Sequence, residues 1–241
     1  MSGRLYALGT GPGASDLITV RAARIIGKLD VLYAPAGRKG GDSLALSIVR
    51  EYLSETTEVR TCHFPMSADN DEKSQVWDET AAALMHDVGL GKQVGFITLG
   101  DSMLFSTWVF LLARIGHPEW LEIVPGVTSF AAIASRAQLP LAMEQQSLAV
   151  MSCTASHQTL SEALRAHDCV VLMKVYGRFA QIKALLQHLG LIDHAVLMSD
   201  ATLPGEQCFR NLEEVADDQK LPYFSTILVN KQWRKSPDGS C

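Results

Sequence analysis

The sequence predicts an α/β protein built in two parts, and three observations predict it. Apolar runs of strand length alternate with helix-period patterns through the first half of the chain. Past Pro125 that alternation loosens, and strands outnumber helices. Apolar residues are 47% and charged residues 20% of the 241 positions, close to globular averages, so a packed core is expected rather than disorder.

The elements follow in order. Residues 5–9 read as a first strand. Over 16–28, Leu17, Val20, Ala23 and Ile26 recur at helical spacing. A second strand is expected at 30–34, then a helix at 43–53 capped by Asp42 or Ser43. A third strand at 58–62 precedes a long amphipathic helix at 73–88. A fourth strand at 93–99, a helix at 107–115 and a short strand at 121–124 complete the first half. This βαβα order calls for a mostly parallel sheet covered by helices. A small-residue helix at 127–138 opens the second half. Strands are expected there at 147–151, 169–175, 194–199, 206–210 and 224–229, with helices at 159–165 and 179–189 and a turn near Leu212. The strands near 196 and 208, joined through Pro204-Gly205, read as a hairpin, which makes the second sheet mixed. The boundary falls between about 118 and 126, giving domains 1–122 and 123–241.

The formal net charge is -5 and no basic stripe stands out, which argues against nucleic acid as a partner. Cys62, Cys153, Cys169, Cys208 and Cys241 include no CxxC pair. They imply neither a disulfide framework nor a zinc site, and read as small buried residues in a reducing cytosol. The N-terminus lacks a basic-then-apolar signal, and no apolar run nears the roughly 18 residues that span a bilayer. A cytoplasmic protein with no membrane partner and no protein-bound metal is expected.

Three segments carry the chemistry. Gly9-Thr10-Gly11-Pro12-Gly13 follows the first strand, where glycines permit a sharp turn and close approach to a ligand. Gly9, Gly11 and Ala14 loosely fit a dinucleotide fingerprint. Against an NAD-dependent oxidoreductase, Pro12 removes a backbone donor, and Asp30 precedes the second strand instead of ending it. Leu99-Gly100-Asp101-Ser102-Met103-Leu104-Phe105-Ser106-Thr107 follows the fourth strand, at the end where open α/β sheets bind ligands. Asp101 there can accept from a ribose diol or an amino group; alternatively Asp101 or Ser106 caps the next helix. Val124-Pro125-Gly126-Val127-Thr128-Ser129-Phe130-Ala131-Ala132 turns rigidly into a helix whose first N–H groups lack intrahelical partners. Tight packing of that helix is the alternative reading.

In this order and spacing, the three segments resemble the signatures of the tetrapyrrole (corrin/porphyrin) methylases, and the resemblance covers essentially the whole chain. Tyr33-Ala34-Pro35 with the loop through Ser43, Phe64-Pro65-Met66, and Ser102-Met103 after Asp101 are most similar to the precorrin-2 and cobalt-factor II C-20 methyltransferase branch. The resemblance implies the two-domain class III methyltransferase fold and usually a homodimer. It also implies S-adenosylmethionine bound in a cleft between the domains, and a tetrapyrrole trough in the N-terminal domain. Carried over by motif, the cofactor contacts are Pro12, Leu99, Gly100, Asp101, Leu104, Thr128 and Ser129, with Met173, Ala201 and Thr226 in the second domain. The sirohaem-type relatives have an acid after strand two and a lysine after strand three. Here Ala34-Pro35 and Cys62-His63-Phe64 stand there, so that pair does not transfer.

Methyl transfer from a sulfonium needs in-line geometry and a dry site. A meso carbon that accepts a methyl must also lose a proton, for which His63, Asp101 and Tyr33 are the candidate bases. The substrate's carboxylates point to Arg38 and Lys39 in a glycine-flanked loop as substrate-binding residues. Trp77, Trp108, Trp120 and Trp233 read as core or dimer-contact residues.

Overall fold

In the computed structural model, residues 3–36, 43–64 and 70–233 are described. The chain divides into two units, Met1–Thr128 and Ser129–Cys241. The division lies past the expected 122/123 because the fifth strand, Leu121–Val124 (β5), pairs with the first, Arg4–Gly9 (β1), which holds the segment in the first sheet.

The first unit continues with Val20–Ile26 (α1), Val31–Ala36 (β2), Leu44–Val49 (α2), Glu58–His63 (β3), Asn70–Gly89 (α3), Gln93–Thr98 (β4) and Trp108–Ile115 (α4). Its five strands are all parallel, in the order β3-β2-β4-β1-β5. Buried side chains fill both faces of the sheet. Leu5, Phe96, Trp108 and Leu111 pack with α3 and α4 on one side, and Leu8, Leu32, Ile97 and Ile48 with α1 and α2 on the other. The strands therefore read as near-continuous apolar runs, as in a parallel sheet covered twice.

The expected helix over 16–28 is shorter. Ser15–Leu17 forms a 3-10 turn, and the Thr19 side chain accepts from the Ala22 N–H at 3.2 Å, capping α1 at Val20. Ser43, not Asp42, caps α2, accepting from the Leu46 N–H at 3.3 Å.

The second unit contains Ser129–Ala137 (α5), Leu148–Ser152 (β6), His157–Ala166 (α6), Cys169–Met173 (β7), Phe179–His188 (α7), Ala195–Ser199 (β8), Gln207–Phe209 (β9) and Ser225–Asn230 (β10). Its sheet runs β6-β7-β10-β8-β9. β6 and β7 are parallel, and the other three pairings are antiparallel, including the expected β8–β9 hairpin. Helices α6 and α7 cover one face and α5 the other. Cys62, Cys153 and Cys169 are free thiols, whereas Cys208 is disulfide-bonded, a departure from the expectation of five thiols.

Candidate active site

In the first unit, β1, β4 and β5 are neighbours, so the three motif loops leave the same edge of one parallel sheet. There the main chains touch. A Cβ on Gly9 would lie 2.6 Å from the Gly126 nitrogen and 2.7 Å from the Gly100 carbonyl oxygen. One on Gly126 would lie 2.0 Å from that same oxygen. The sequence reading left Gly9 between a tight turn and close approach to a ligand and gave Gly126 to a rigid turn; the structure spends both on bringing the loops against one another.

Hydrogen bonds lock the contact. Gly100 N–H donates to the Gly11 carbonyl at 2.7 Å, and Gly11 N–H donates back to Gly100 at 3.2 Å. Thr10 donates its N–H and its hydroxyl to the Thr98 carbonyl at 2.9 and 3.0 Å. Asp101 ties in the third loop. Its Oδ2 accepts from the Gly126 N–H at 2.9 Å, and its Oδ1 from the Met103 N–H at 2.8 Å. Buried Ser102 sits 3.4 Å from the Thr98 hydroxyl, and Ser106 takes the helix-capping role, accepting from the Trp108 N–H at 2.9 Å. Sequence reasoning missed the Asp101–Gly126 tie, since nothing local signals a bond across 25 positions.

Beside this hub the loop surface stays open. A Cβ on Gly100 would meet nothing nearer than 4.0 Å, and Leu99, Leu104 and Thr128 are half-buried. Met103 and Phe105 are exposed, and Phe105 takes a left-handed φ of 48°, the kind of strain that gathers at ligand sites. Pro12 is buried in the turn after β1. These residues fit a flat, partly apolar ligand approached by backbone, as an adenosyl group requires.

The three candidate bases separate. Tyr33 is buried, and its hydroxyl donates to Asp87 Oδ2 at 2.6 Å and accepts from Arg60 at 2.7 Å. Arg60 and Lys92 also bond Asp87, at 2.6 and 2.8 Å. Burial, then the hydrogen bond to Asp87, pushes the phenol well above its usual range. Burial works against the Asp87 carboxylate, but hydrogen bonds from Lys92 and Tyr33 and the Arg60 charge outweigh it and hold the carboxyl below its ordinary value. Lys92 precedes β4 and Asp87 ends α3, so this network lies toward the N-terminal edge of the sheet, away from the motif loops. Asp101 is the tie described above. His63 ends β3 at the loop edge, and its buried Nδ1 has no hydrogen-bond partner among the described residues. Arg38 and Lys39 lie outside the described residues.

In the second unit, Thr226 pairs in register with Met173 of β7 and Met198 of β8, and Ala201 follows β8, so the three expected positions share one edge of that sheet. Thr226 is buried, 5% exposed. Lys174, Asp200 and Thr202, at the same edge, all have left-handed φ angles. Among the described residues, no group of three or more His, Cys, Asp or Glu is placed to hold a metal, and no helix is long and apolar enough to cross a membrane. Asp30 accepts from the Gln93 N–H at 2.7 Å at the N-terminal edge, too far round the sheet to bind a ribose as a dinucleotide fold requires.

A sequence model of the tetrapyrrole (corrin/porphyrin) methylases matches residues 4–216. The chain belongs to that family. It is 75% identical over 233 residues, 97% of this chain and 98% of the relative, to the cobalt-precorrin-2 C(20)-methyltransferase of Salmonella typhimurium. It is 30% identical to the precorrin-2 C(20)-methyltransferase of a Sinorhizobium species, covering 98% of both chains. The fold is shared with uroporphyrin-III C-methyltransferase of Thermus thermophilus complexed with S-adenosylhomocysteine, with a TM-score of 0.66, 24% identity, and 94% and 97% of the two chains covered. As a tetrapyrrole methylase, the chain has its motif loops where the family's signatures were expected. The hub made by the three loops is the part of the signature that packing explains.

Proposed function

We propose that this tetrapyrrole methylase transfers a methyl group from S-adenosylmethionine to C-20 of cobalt-precorrin-2, the reduced form of cobalt-factor II, in cobalamin biosynthesis. The observation that carries this reading is 75% identity, along nearly the whole chain, to a relative named for that reaction. The relative named for metal-free precorrin-2 is only 30% identical, which favours the cobalt-containing substrate.

Bound S-adenosylmethionine supplies a methyl already activated on a sulfonium. The protein has to hold donor and acceptor in line and keep water out. Pro12, Leu99, Gly100, Leu104 and Thr128 are the proposed cofactor contacts of the first unit, and Ser129, the first residue of the second unit, is proposed with them. Asp101 belongs with them through its backbone, since its carboxylate serves the Gly126 and Met103 N–H groups. Met173, Ala201 and Thr226 are the proposed contacts of the second unit. Their place at one edge of the second sheet supports that reading. Arg38 and Lys39 are proposed to meet the macrocycle's carboxylates, with guanidinium as the bidentate partner. The enzyme is proposed to act as a cytoplasmic homodimer.

The test is to incubate the enzyme with S-adenosylmethionine labelled in the methyl carbon and either cobalt-precorrin-2 or precorrin-2, then locate the label by carbon NMR. Label at C-20 and a higher kcat/KM for the cobalt form are expected. Label at another carbon would replace the proposal by methylation at a different ring position. Turnover of the metal-free form alone would reverse the substrate assignment.

A further inference from the structure

We infer that His63 is the base that removes the C-20 proton after methyl transfer, an assignment that rests on the C-20 reading above. When the meso carbon attacks, its electron pair forms the new C–C bond and the C–S bond breaks, releasing S-adenosylhomocysteine. C-20 then carries both a methyl and a hydrogen. Conjugation returns only when that hydrogen leaves as a proton, its C–H electron pair re-entering the ring system and the proton passing to a base.

Among the described residues, the four candidates Asp101, Tyr33, Cys62 and His63 narrow to one. Both Asp101 oxygens accept backbone N–H groups that hold the loops together, so this carboxylate is committed. Tyr33 is bonded to Asp87 and Arg60 toward the opposite edge. Cys62 packs into the core, and burial pushes its thiol up to about 11, so it stays protonated. His63 differs on each count. It ends a parallel strand at the edge where the motif loops emerge. Pairing of Ala36 with His63 sets the residue level with the end of β2. Its strand lies two places from β4, about 10 Å at the usual strand spacing, a distance a four-pyrrole macrocycle bridges when one side rests on the loop after β4. Its Nδ1 is buried and has no partner among the described residues. Trp108 Nε1 and His167 Nδ1 are also buried without a partner, but the first is an indole N–H that cannot take up a proton and the second precedes β7 in the second unit, so of these three ring nitrogens His63 alone is a basic one at the motif-loop edge.

The test follows two products separately in a single turnover with S-adenosylmethionine and cobalt-precorrin-2. In the wild type, S-adenosylhomocysteine and the product chromophore appear together. In His63→Ala and His63→Gln, S-adenosylhomocysteine is expected to form while the chromophore lags by about 10²–10⁴-fold. Carbon NMR should then show C-20 as an aliphatic carbon bearing the labelled methyl, and added imidazole should restore the chromophore in the alanine variant. Calorimetry should give S-adenosylmethionine affinities within about twofold of wild type. Because Nδ1 has no partner among the described residues, His63→Leu should match or exceed the wild-type urea midpoint while showing the same lag. If the two products remain coupled in the variants, whether both unchanged or both slowed equally without imidazole rescue, the assignment of His63 is overturned. If the wild type itself releases no S-adenosylhomocysteine with this substrate, the C-20 reading falls, and the role of His63 with it.

Discussion

Gly126→Ala tests whether the three loops are held by backbone contact. The added methyl would sit 2.0 Å from the Gly100 carbonyl oxygen and 2.9 Å from two Gly9 backbone atoms, whereas ordinary contacts begin at 3.4 Å. At least 1.4 Å of movement is needed (3.4 less 2.0), and every atom in the way belongs to the main chain. Overpacking of this kind costs about 1–3 kcal/mol. A shift of that size also draws the Gly126 N–H, now 2.9 Å from Asp101, beyond hydrogen-bond range. Losing a bond to a charged acceptor adds about 1.5–3 kcal/mol. The total is roughly 3–6 kcal/mol, a large share of the 5–15 kcal/mol available to a domain. With a denaturant slope of about 2–3 kcal/mol/M, the urea midpoint of the first unit should fall by about 1–3 M. Tryptophan fluorescence reports it, since Trp77, Trp108 and Trp120 all lie in that unit. Affinity for S-adenosylmethionine, measured by calorimetry, should fall by about tenfold or more, the equivalent of 1.4 kcal/mol. Gly89→Ala is the control: a Cβ there meets nothing within 4 Å, and its effect should stay within about 1 kcal/mol. A Gly126→Ala protein less than about 0.5 kcal/mol from wild type, in the range of ordinary surface changes, would refute the reasoning.

Three further outcomes are expected. Asp101→Asn has one acceptor oxygen for two N–H groups and sets its own amide against the other, so stability should drop by about 1–3 kcal/mol in urea titrations. Asp87→Asn should cost about 2–4 kcal/mol at neutral pH, less than a fully enclosed pair because Arg60 and Lys92 are 35% and 31% exposed. Since the Asp87 carboxyl is lowered in the folded protein, its contribution is complete above about pH 4 and is lost as pH falls through the lowered folded value; the gap between wild-type and variant midpoints should therefore close in acid. Thr226→Val removes the hydroxyl proposed to meet the cofactor at a buried position, so calorimetry should show S-adenosylmethionine binding weakened by more than the urea midpoint is lowered.

Strands were the most legible part of the sequence, because strands buried on both faces read as unbroken apolar runs. Helix ends were less so. Leu17 and Val20 appeared to continue one apolar face, yet Val20 is 64% exposed, and the Thr19 cap, whose hydroxyl bonds the chain in a way spacing does not report, starts the helix there. The motif loops were visible as segments, but not their reasons. The partners of Gly9, Gly100 and Gly126 lie across strand crossovers, and the bond that removes Tyr33 from the list of bases spans 54 positions. No periodicity encodes contacts of that separation. The orphaned nitrogen of His63 was equally invisible, since it is defined by what fails to approach it.

The hub of glycine backbone has a consequence for how such an enzyme can be altered. Its cohesion comes from peptide groups, the Thr10 hydroxyl and a single carboxylate. Met103 is 50% exposed and meets this frame through its backbone N–H. A surface of that kind can be rewritten one residue at a time. Changes at Met103 should alter which macrocycle, or which of its carbons, is presented to the methyl donor long before they disturb the folding of the loop that carries it.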